Sequence, residues 1–142
     1  MIVVVPFKPE HLAALKLQGT QASAQQLMTV KHGRELLDSP GVAYTAMQDG
    51  KPLICAGMIE LWPGRAYAWS YIADGASRCW KAIHRATLEG LAACKWRRVE
   101  MAVDVRDPAA KRWAWHLGFE FEGVARKWTH DGRDVEIWAR VT

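Results

Sequence analysis

Asp107-Pro108-Ala109-Ala110-Lys111-Arg112-Trp113-Ala114-Trp115-His116-Leu117-Gly118-Phe119 is the stretch on which the reading of this chain turns. Asp107 is a helix N-cap, and Pro108 suits the first helical position, where its missing N–H has no intrahelical partner to lose. Gly118 supplies the C-terminal stop. Before it, Arg98–Val105 alternates, with Val99, Met101, Val103 and Val105 on one face, as a half-buried strand does. After it, Phe119–Arg126 and Asp134–Arg140 read as two strands around a turn at His130-Asp131-Gly132-Arg133. The segment is therefore a strand, a capped helix and a hairpin.

Upstream, Trp80, Ile83, Thr87, Leu91 and Cys94 recur at spacings of three and four, while Arg78, Lys81, Arg85 and Glu89 take the opposite face. That is an amphipathic helix from Arg78 to Cys94. In the front half, Met1–Pro6 reads as a first strand. A helix is expected from Pro9 to about Gln18, and a second from about Ala22 through Leu37, stopped at Ser39-Pro40-Gly41. Val42–Gln48 and Leu53–Leu61 are strands joined at Asp49-Gly50, a strong hairpin signal. Trp62-Pro63-Gly64-Arg65 turns the chain into a third strand, Ala66–Ile72. The order β-α-α-β-β-β-α-β-α-β-β implies one α/β (α+β) domain over residues 1–142. It should hold a mixed sheet of six to seven strands flanked by about four helices.

The chain has 142 residues, half of them apolar and 24% charged. A domain of this size buries enough surface to fold without a disulfide or metal staple. Its three cysteines, Cys55, Cys79 and Cys94, share no C-x-x-C spacing, which speaks against a zinc knuckle and suits a reducing, cytoplasmic setting. No apolar run approaches the ~20 residues of a membrane span, and Met1–Pro6 lacks the basic start of a signal peptide. The net charge is +4, and its excess lies mid-chain. Residues 75–112 carry nine basic side chains against four acidic ones, whereas residues 1–74 are balanced. Such a block either attracts phosphate groups or forms a solvated helix face.

The Asp107–Phe119 segment resembles the hallmark of the GNAT superfamily of acyl-CoA-dependent N-acyltransferases. There an N-x-x-A helix runs into a Gly-Phe turn after the fifth strand, and the order of elements is similar over nearly the whole chain. The resemblance implies an N-acetyltransferase that moves an acetyl group from acetyl-CoA to a primary amine by direct attack. It also implies that Ala66–Ile72 and Arg98–Val105 are parallel neighbours that splay apart at their C-terminal ends. Cofactor contacts then fall on Tyr71, Ile72, Ala73, Gly75, Ala76, Ser77 and Arg78 around the fourth strand and the following loop, and on Asp107, Ala110 and Trp113. Arg78 should approach the cleft beside the start of its helix.

Three departures stand beside that likeness. The loop that carries Q/R-x-x-G-x-G/A in the family is Ile72-Ala73-Asp74-Gly75-Ala76-Ser77-Arg78 here, with one glycine and a carboxylate where a diphosphate would sit. Asp107 replaces the usual asparagine. Ala114 stands where many members carry a tyrosine that protonates the leaving thiolate. This degraded loop, together with the Trp115–Phe119 run, is also similar to GNAT-like proteins of tailed bacteriophages, some of them virion components. The alternative is therefore a catalytically degenerate binding or virion structural module.

Acyl transfer to an amine needs a base, an acid and donors for the developing oxyanion. Within the resemblance, Glu60 is the expected base and Tyr71 the stand-in acid, with a backbone N–H near Tyr71 or Ile72 as the oxyanion donor. His84 and His116 have no second ligand at helical spacing, so no metal is expected. His11, His32 and His130 read as surface residues. Eight tryptophans are many for this length. Trp113 and Trp115 point to opposite sides of one helix, and Trp128 and Trp138 are expected to pair across the last hairpin. They serve either as packing or as an aromatic wall for the acceptor. The acceptor is a small-molecule or protein amine, and a homodimer or a virion partner is compatible with the likeness. No RNP, KH or helix-turn-helix signature points to nucleic acid.

Overall fold

Alternation and turn chemistry build a seven-stranded sheet, described in a computed structural model covering residues 1–142. The strands are β1 (Ile2–Pro6), β2 (Gly41–Gln48), β3 (Lys51–Trp62), β4 (Arg65–Ile72), β5 (Arg98–Asp104), β6 (Glu120–Ala125) and β7 (Val135–Val141). The α-helices are α1 (Pro9–Ala13), α2 (Val30–Asp38), α3 (Trp80–Ala93) and α4 (Pro108–His116), and Gly19–Leu27 and Ala76–Cys79 are 3-10 helical. Strand order is β1-β2-β3-β4-β5-β7-β6. Every neighbouring pair is antiparallel except β4 and β5.

That parallel pair sets the shape of the molecule. β4 and β5 pair only at Arg65↔Arg98, Ala66↔Val99 and Tyr67↔Glu100. Beyond this point β4 stays with β3 as far as Ile72↔Ile54, and β5 stays with β7 as far as Asp104↔Val135. The two half-sheets therefore diverge toward the C-terminal ends of β4 and β5, as the resemblance implied. The closed end is clamped by charge. Glu100 is paired with Arg65 and Arg98, and Arg98 reaches Glu122 on β6 at 2.6 Å. The Arg65 guanidinium, with help from Arg98, holds the Glu100 carboxyl below its ordinary range despite partial burial.

Each face of the sheet carries its own core. On one face, Phe7, Leu12, Leu15, Leu17 and Met28 pack on Cys55 and Ala73, beneath α1 and α2. On the other, Ile83 packs on Ile54 and Ile72, while Leu91, Trp96, Ala114, Leu117 and Phe119 close over Ala66 and Val99. The stretch that decides the fold behaves as its chemistry requires. Asp107 accepts from the Ala110 N–H at 3.1 Å. At the other end, Phe119 N–H donates to the Ala114 carbonyl and Gly118 N–H to that of Trp115, a Schellman cap with Gly118 at φ +90. This cap drives Phe119 into the core, where it is 2% exposed.

The helices of the front half differ from expectation. The first ends at Ala13 rather than near Gln18, and the second is split into the Gly19–Leu27 3-10 segment and α2. Side chains in this segment bond to backbone outside it: Gln25 accepts from the Leu17 N–H and donates to the Leu15 carbonyl. A continuous helix would break those bonds. Thr29 then caps α2 by accepting from the His32 N–H. Likewise α3 starts at Trp80 rather than Arg78, because Gly75 at φ +84 and a 3-10 turn precede it. Trp138 packs edge-to-face on Phe121, its partner in register, not on Trp128, which is exposed. No helix is long and apolar enough to cross a membrane.

One buried polar chain ties α1 to the sheet. His11 Nδ1 accepts from the Lys8 N–H at 3.1 Å and lies 2.8 Å from the Thr45 hydroxyl, which in turn meets Cys55 Sγ at 3.7 Å. Burial, then the Lys8 charge, lowers the pKa of His11 below 6.5. The folded state thus holds His11 neutral, so its contribution is fully present above about pH 6.5 and is lost as pH falls. The expected result is a melting temperature that declines from pH 7 to pH 5. His11→Asn keeps an acceptor near the Nδ1 position but cannot titrate, and should flatten that decline. Parallel slopes for the two proteins in a pH series of thermal melts would refute the assignment.

Candidate functional site

The splay opens onto a cavity of about 840 Å³ that runs between α3, α4 and the 3-10 segment Gly19–Leu27. Tyr71 and Ile72 line it from β4, Val103 and Asp104 from β5, and Asp107, Ala110 and Trp113 from α4. Five of the expected cofactor residues thus meet at one cleft. The other five, Ala73, Gly75, Ala76, Ser77 and Arg78, do not line it. Ala73 and Ala76 are buried in the core, and the Ala73 N–H is taken by the Leu53 carbonyl. In the same loop, Ala76 N–H donates to the Ala73 carbonyl and Arg78 N–H to that of Gly75. These three amides are already paired, so they are not free for a diphosphate. Arg78 is exposed and makes no ion pair within 4.0 Å.

Four of the nine basic residues in the mid-chain block are engaged in ion pairs. Lys95, Arg98, Arg106 and Lys111 pair with Glu60, Glu122, Asp104 and Glu136. At the mouth of the cleft, burial works against the charge of Asp104. The Arg106 amide and guanidinium together with Arg133 more than offset it and hold its carboxyl low.

Glu60, the expected base, lies at the wrong end. It stands opposite Ala66 at the closed start of β4. Five residues of strand, about 17 Å, separate that level from Tyr71. Its carboxylate accepts from the Trp96 indole N–H at 2.9 Å, which is a structural task. The structure therefore does not bring Glu60 and Tyr71 together.

It brings His32 to Tyr71 instead. His32 Nε2 lies 3.4 Å from the Tyr71 hydroxyl, and its Nδ1 lies 3.5 Å from Glu35 on the same helix. The two rings meet edge-to-face at 6.1 Å. Burial raises the pKa of Tyr71 above 10.0, so the phenol stays protonated through neutral pH. Sequence reasoning missed His32. The capped start of α2 would have placed it on a first helical turn, but nothing in its spacing announces a partner 39 residues away. On the opposite wall, the Trp113 indole meets Trp80 at a 60° tilt with ring centroids 4.6 Å apart, and donates to His84 Nδ1 at 3.0 Å. Trp115, as its place on the helix implied, points outward.

The backbone of β4 is the most telling part of the site. Where β5 leaves, the strand should present unpaired groups to the cleft. Those at its far end are paired within the chain. The Gln21 side chain donates to the Ser70 carbonyl at 2.9 Å and accepts from the Ile72 N–H at 2.8 Å. The Gln18 N–H donates to the Ile72 carbonyl, and the Asp74 N–H donates to the Lys16 carbonyl, around a Leu17↔Ala73 bridge. The expected oxyanion donor, Ile72 N–H, is thus held by a carboxamide of the chain itself. The edge is complementary to an amide, since one carboxamide satisfies an acceptor and a donor two residues apart.

The fold so described is that of the GNAT acetyltransferases. The chain superposes on an acetyltransferase of GNAT family from Streptococcus pneumoniae with a TM-score of 0.61 at 15% identity, covering 99% of each chain. Against the ribosomal-protein-S18-alanine N-acetyltransferase from Escherichia coli the TM-score is 0.73 at 18% identity, covering 99% of this chain and 94% of that one. An N-acetyltransferase from Staphylococcus aureus Mu50 gives 0.71 at 15% identity, with 99% and 98% covered. No protein-family model and no curated protein matches the sequence.

Asp107 offers a direct check on α4. Its carboxylate and an asparagine carbonyl are equivalent as acceptors for the Ala110 N–H, whereas alanine is not. Asp107→Ala should lower unfolding stability by about 1 kcal/mol in urea, and Asp107→Asn by much less. Equal losses would show that the residue acts through something other than the cap.

Proposed function

We propose that the protein is an acetyl-CoA-dependent N-acetyltransferase acting on a primary amine. The observation that carries this reading is the divergence of β4 from β5 over an apolar cleft whose strand edge is complementary to an amide. Acetyl-CoA supplies an activated acetyl thioester and an amide-bearing arm. The groups suited to hold that arm are the Ser70 carbonyl and Ile72 N–H, flanked by Asp107, Ala110 and Trp113.

The chain's own groups divide the remaining chemistry. With Nδ1–H directed at Glu35, His32 Nε2 is an acceptor, suited to take the proton of an incoming ammonium directly or through the Tyr71 hydroxyl. Tyr71, protonated at neutral pH, can then return a proton to a leaving group, the task that Ala114 cannot perform. Ile72 N–H, once released by Gln21, serves the amide of that arm. Trp69, Tyr71 and Tyr67 give the cleft an aromatic wall on the α2 side, favourable to the apolar stem of an amine acceptor.

A second reading rests on a specific observation, the covered edge of β4 and the paired amides of Ala73, Ala76 and Arg78. In it the protein is a GNAT-fold module without catalysis, the role suggested by its likeness to bacteriophage proteins, with a protein partner in a virion. Calorimetry with millimolar acetyl-CoA separates the two. The enzyme gives measurable heat, a raised melting temperature and thiol release with a panel of primary amines. His32→Ala and Tyr71→Phe should each then lower kcat by about 100-fold or more, the usual scale of acid–base assistance, with acetyl-CoA affinity nearly unchanged. Absence of heat, thermal shift and thiol release would rule out the transferase and leave the module.

A further inference from the structure

The Gly19–Leu27 segment contains no buried residue, yet it is held at defined points. Its flanks, Leu17 and Met28, are anchored in the core beneath α1 and α2. Between them Ala24 packs lightly against that core, and the other contacts are polar. Gln21 bonds the edge of β4, Ser23 accepts from the Arg133 guanidinium at 2.7 Å, and Gln26 meets His130 at 3.2 Å. The segment therefore spans the mouth of the splay, from β4 on one side to the β6–β7 turn on the other. Such a piece of chain, tied at both ends in the core and by side-chain hydrogen bonds between, is easily lifted without disturbing the sheet.

We infer that this segment is a strap that occupies the acyl-carrier edge of β4, and that Gln21 determines how readily the edge accepts a ligand. The inference rests on the transferase reading of that edge. The Gln21 carboxamide makes the same pair of bonds, one given and one received, that a single amide of an extended chain would make there. Ligand amide and Gln21 cannot both hold Ser70 and Ile72, so binding must displace the side chain. The backbone pairing at Leu17↔Ala73 lies one step farther along β4 and can remain as a hinge while Gln21 swings out. Affinity is thus lowered by the occupancy of the closed form.

Gln21→Met tests this, since methionine keeps the length of the side chain and loses both hydrogen bonds. Gln21→Ala is the second variant, and thermal melts establish that each is folded. Two readouts are needed, neither of them activity. Exchange of the Ile72 amide, followed by hydrogen–deuterium exchange, should accelerate at least tenfold in either variant. Affinity for acetyl-CoA and for pantetheine, which carries the amides without the nucleotide, should rise at least tenfold. Affinity for ADP, which has no amide to place on the edge, should not change.

An Ile72 amide protected equally in wild type and variants would overturn the strap, because Gln21 would not be what shields it. Wild-type protein that binds acetyl-CoA no less tightly than both variants would overturn it while leaving the transferase intact. Binding that appears only in the variants would support the strap, with the wild-type chain a closed form that fails as a transferase. If neither wild type nor variant binds although the amide is exposed, strap and transferase both fall.

Discussion

A β-strand whose neighbour departs must find other partners for its backbone, and this requirement governs the molecule. β4 loses β5 after three residue pairs, yet its next polar groups lie beside a cleft rather than in bulk water. An amide or carbonyl left unpaired in such a place costs on the order of 1–3 kcal/mol. The chain meets the requirement internally, with Gln21, Gln18 and Lys16 standing where a neighbouring strand would be. The geometry that makes a ligand site is therefore the same geometry that obliges the protein to cover it.

The divergence is itself held open by features on both sides. At the closed end the Arg65–Glu100–Arg98–Glu122 network spans four strands of the sheet, joining β4, β5 and β6 where β7 intervenes. At the open end α4 is fixed by its Asp107 cap and its Gly118 terminus, and Phe119 pins the following hairpin against Ala66 and Val99. The hairpin carries Arg133, which binds both Asp104 and Ser23. A cap at one end of a helix is thus mechanically connected to the position of the segment that covers β4.

Much of this fold was legible in the sequence because its signals are local. The Asp-Pro start and Gly-Phe end of α4, the Asp49-Gly50 turn and the alternation of β5 each depend on neighbours a few residues apart. Even the separation of Glu60 from Tyr71 was readable from sequence. With a turn at Trp62–Arg65, antiparallel register must set Glu60 opposite Ala66, at the start of β4 and far from its end. His32 and Gln21 were of another kind. Their partners lie 39 and 49–51 residues away, and a side chain that bonds to distant backbone leaves no period to read. The pairing within the basic block was hidden for a related reason: partners such as Glu60, Glu122 and Glu136 come from strands outside it.

The polar ties of the strap also carry a kinetic meaning. Ser23 and Arg133 are 110 residues apart, and Gln26 and His130 are 104 apart. Contacts of such separation reward the chain only after the intervening loop has been closed by other elements. The β2–β3–β4 meander can assemble from near neighbours, but these ties wait for β5, α4 and the terminal hairpin. The segment across the cleft is consequently among the last parts of the chain to gain order during folding.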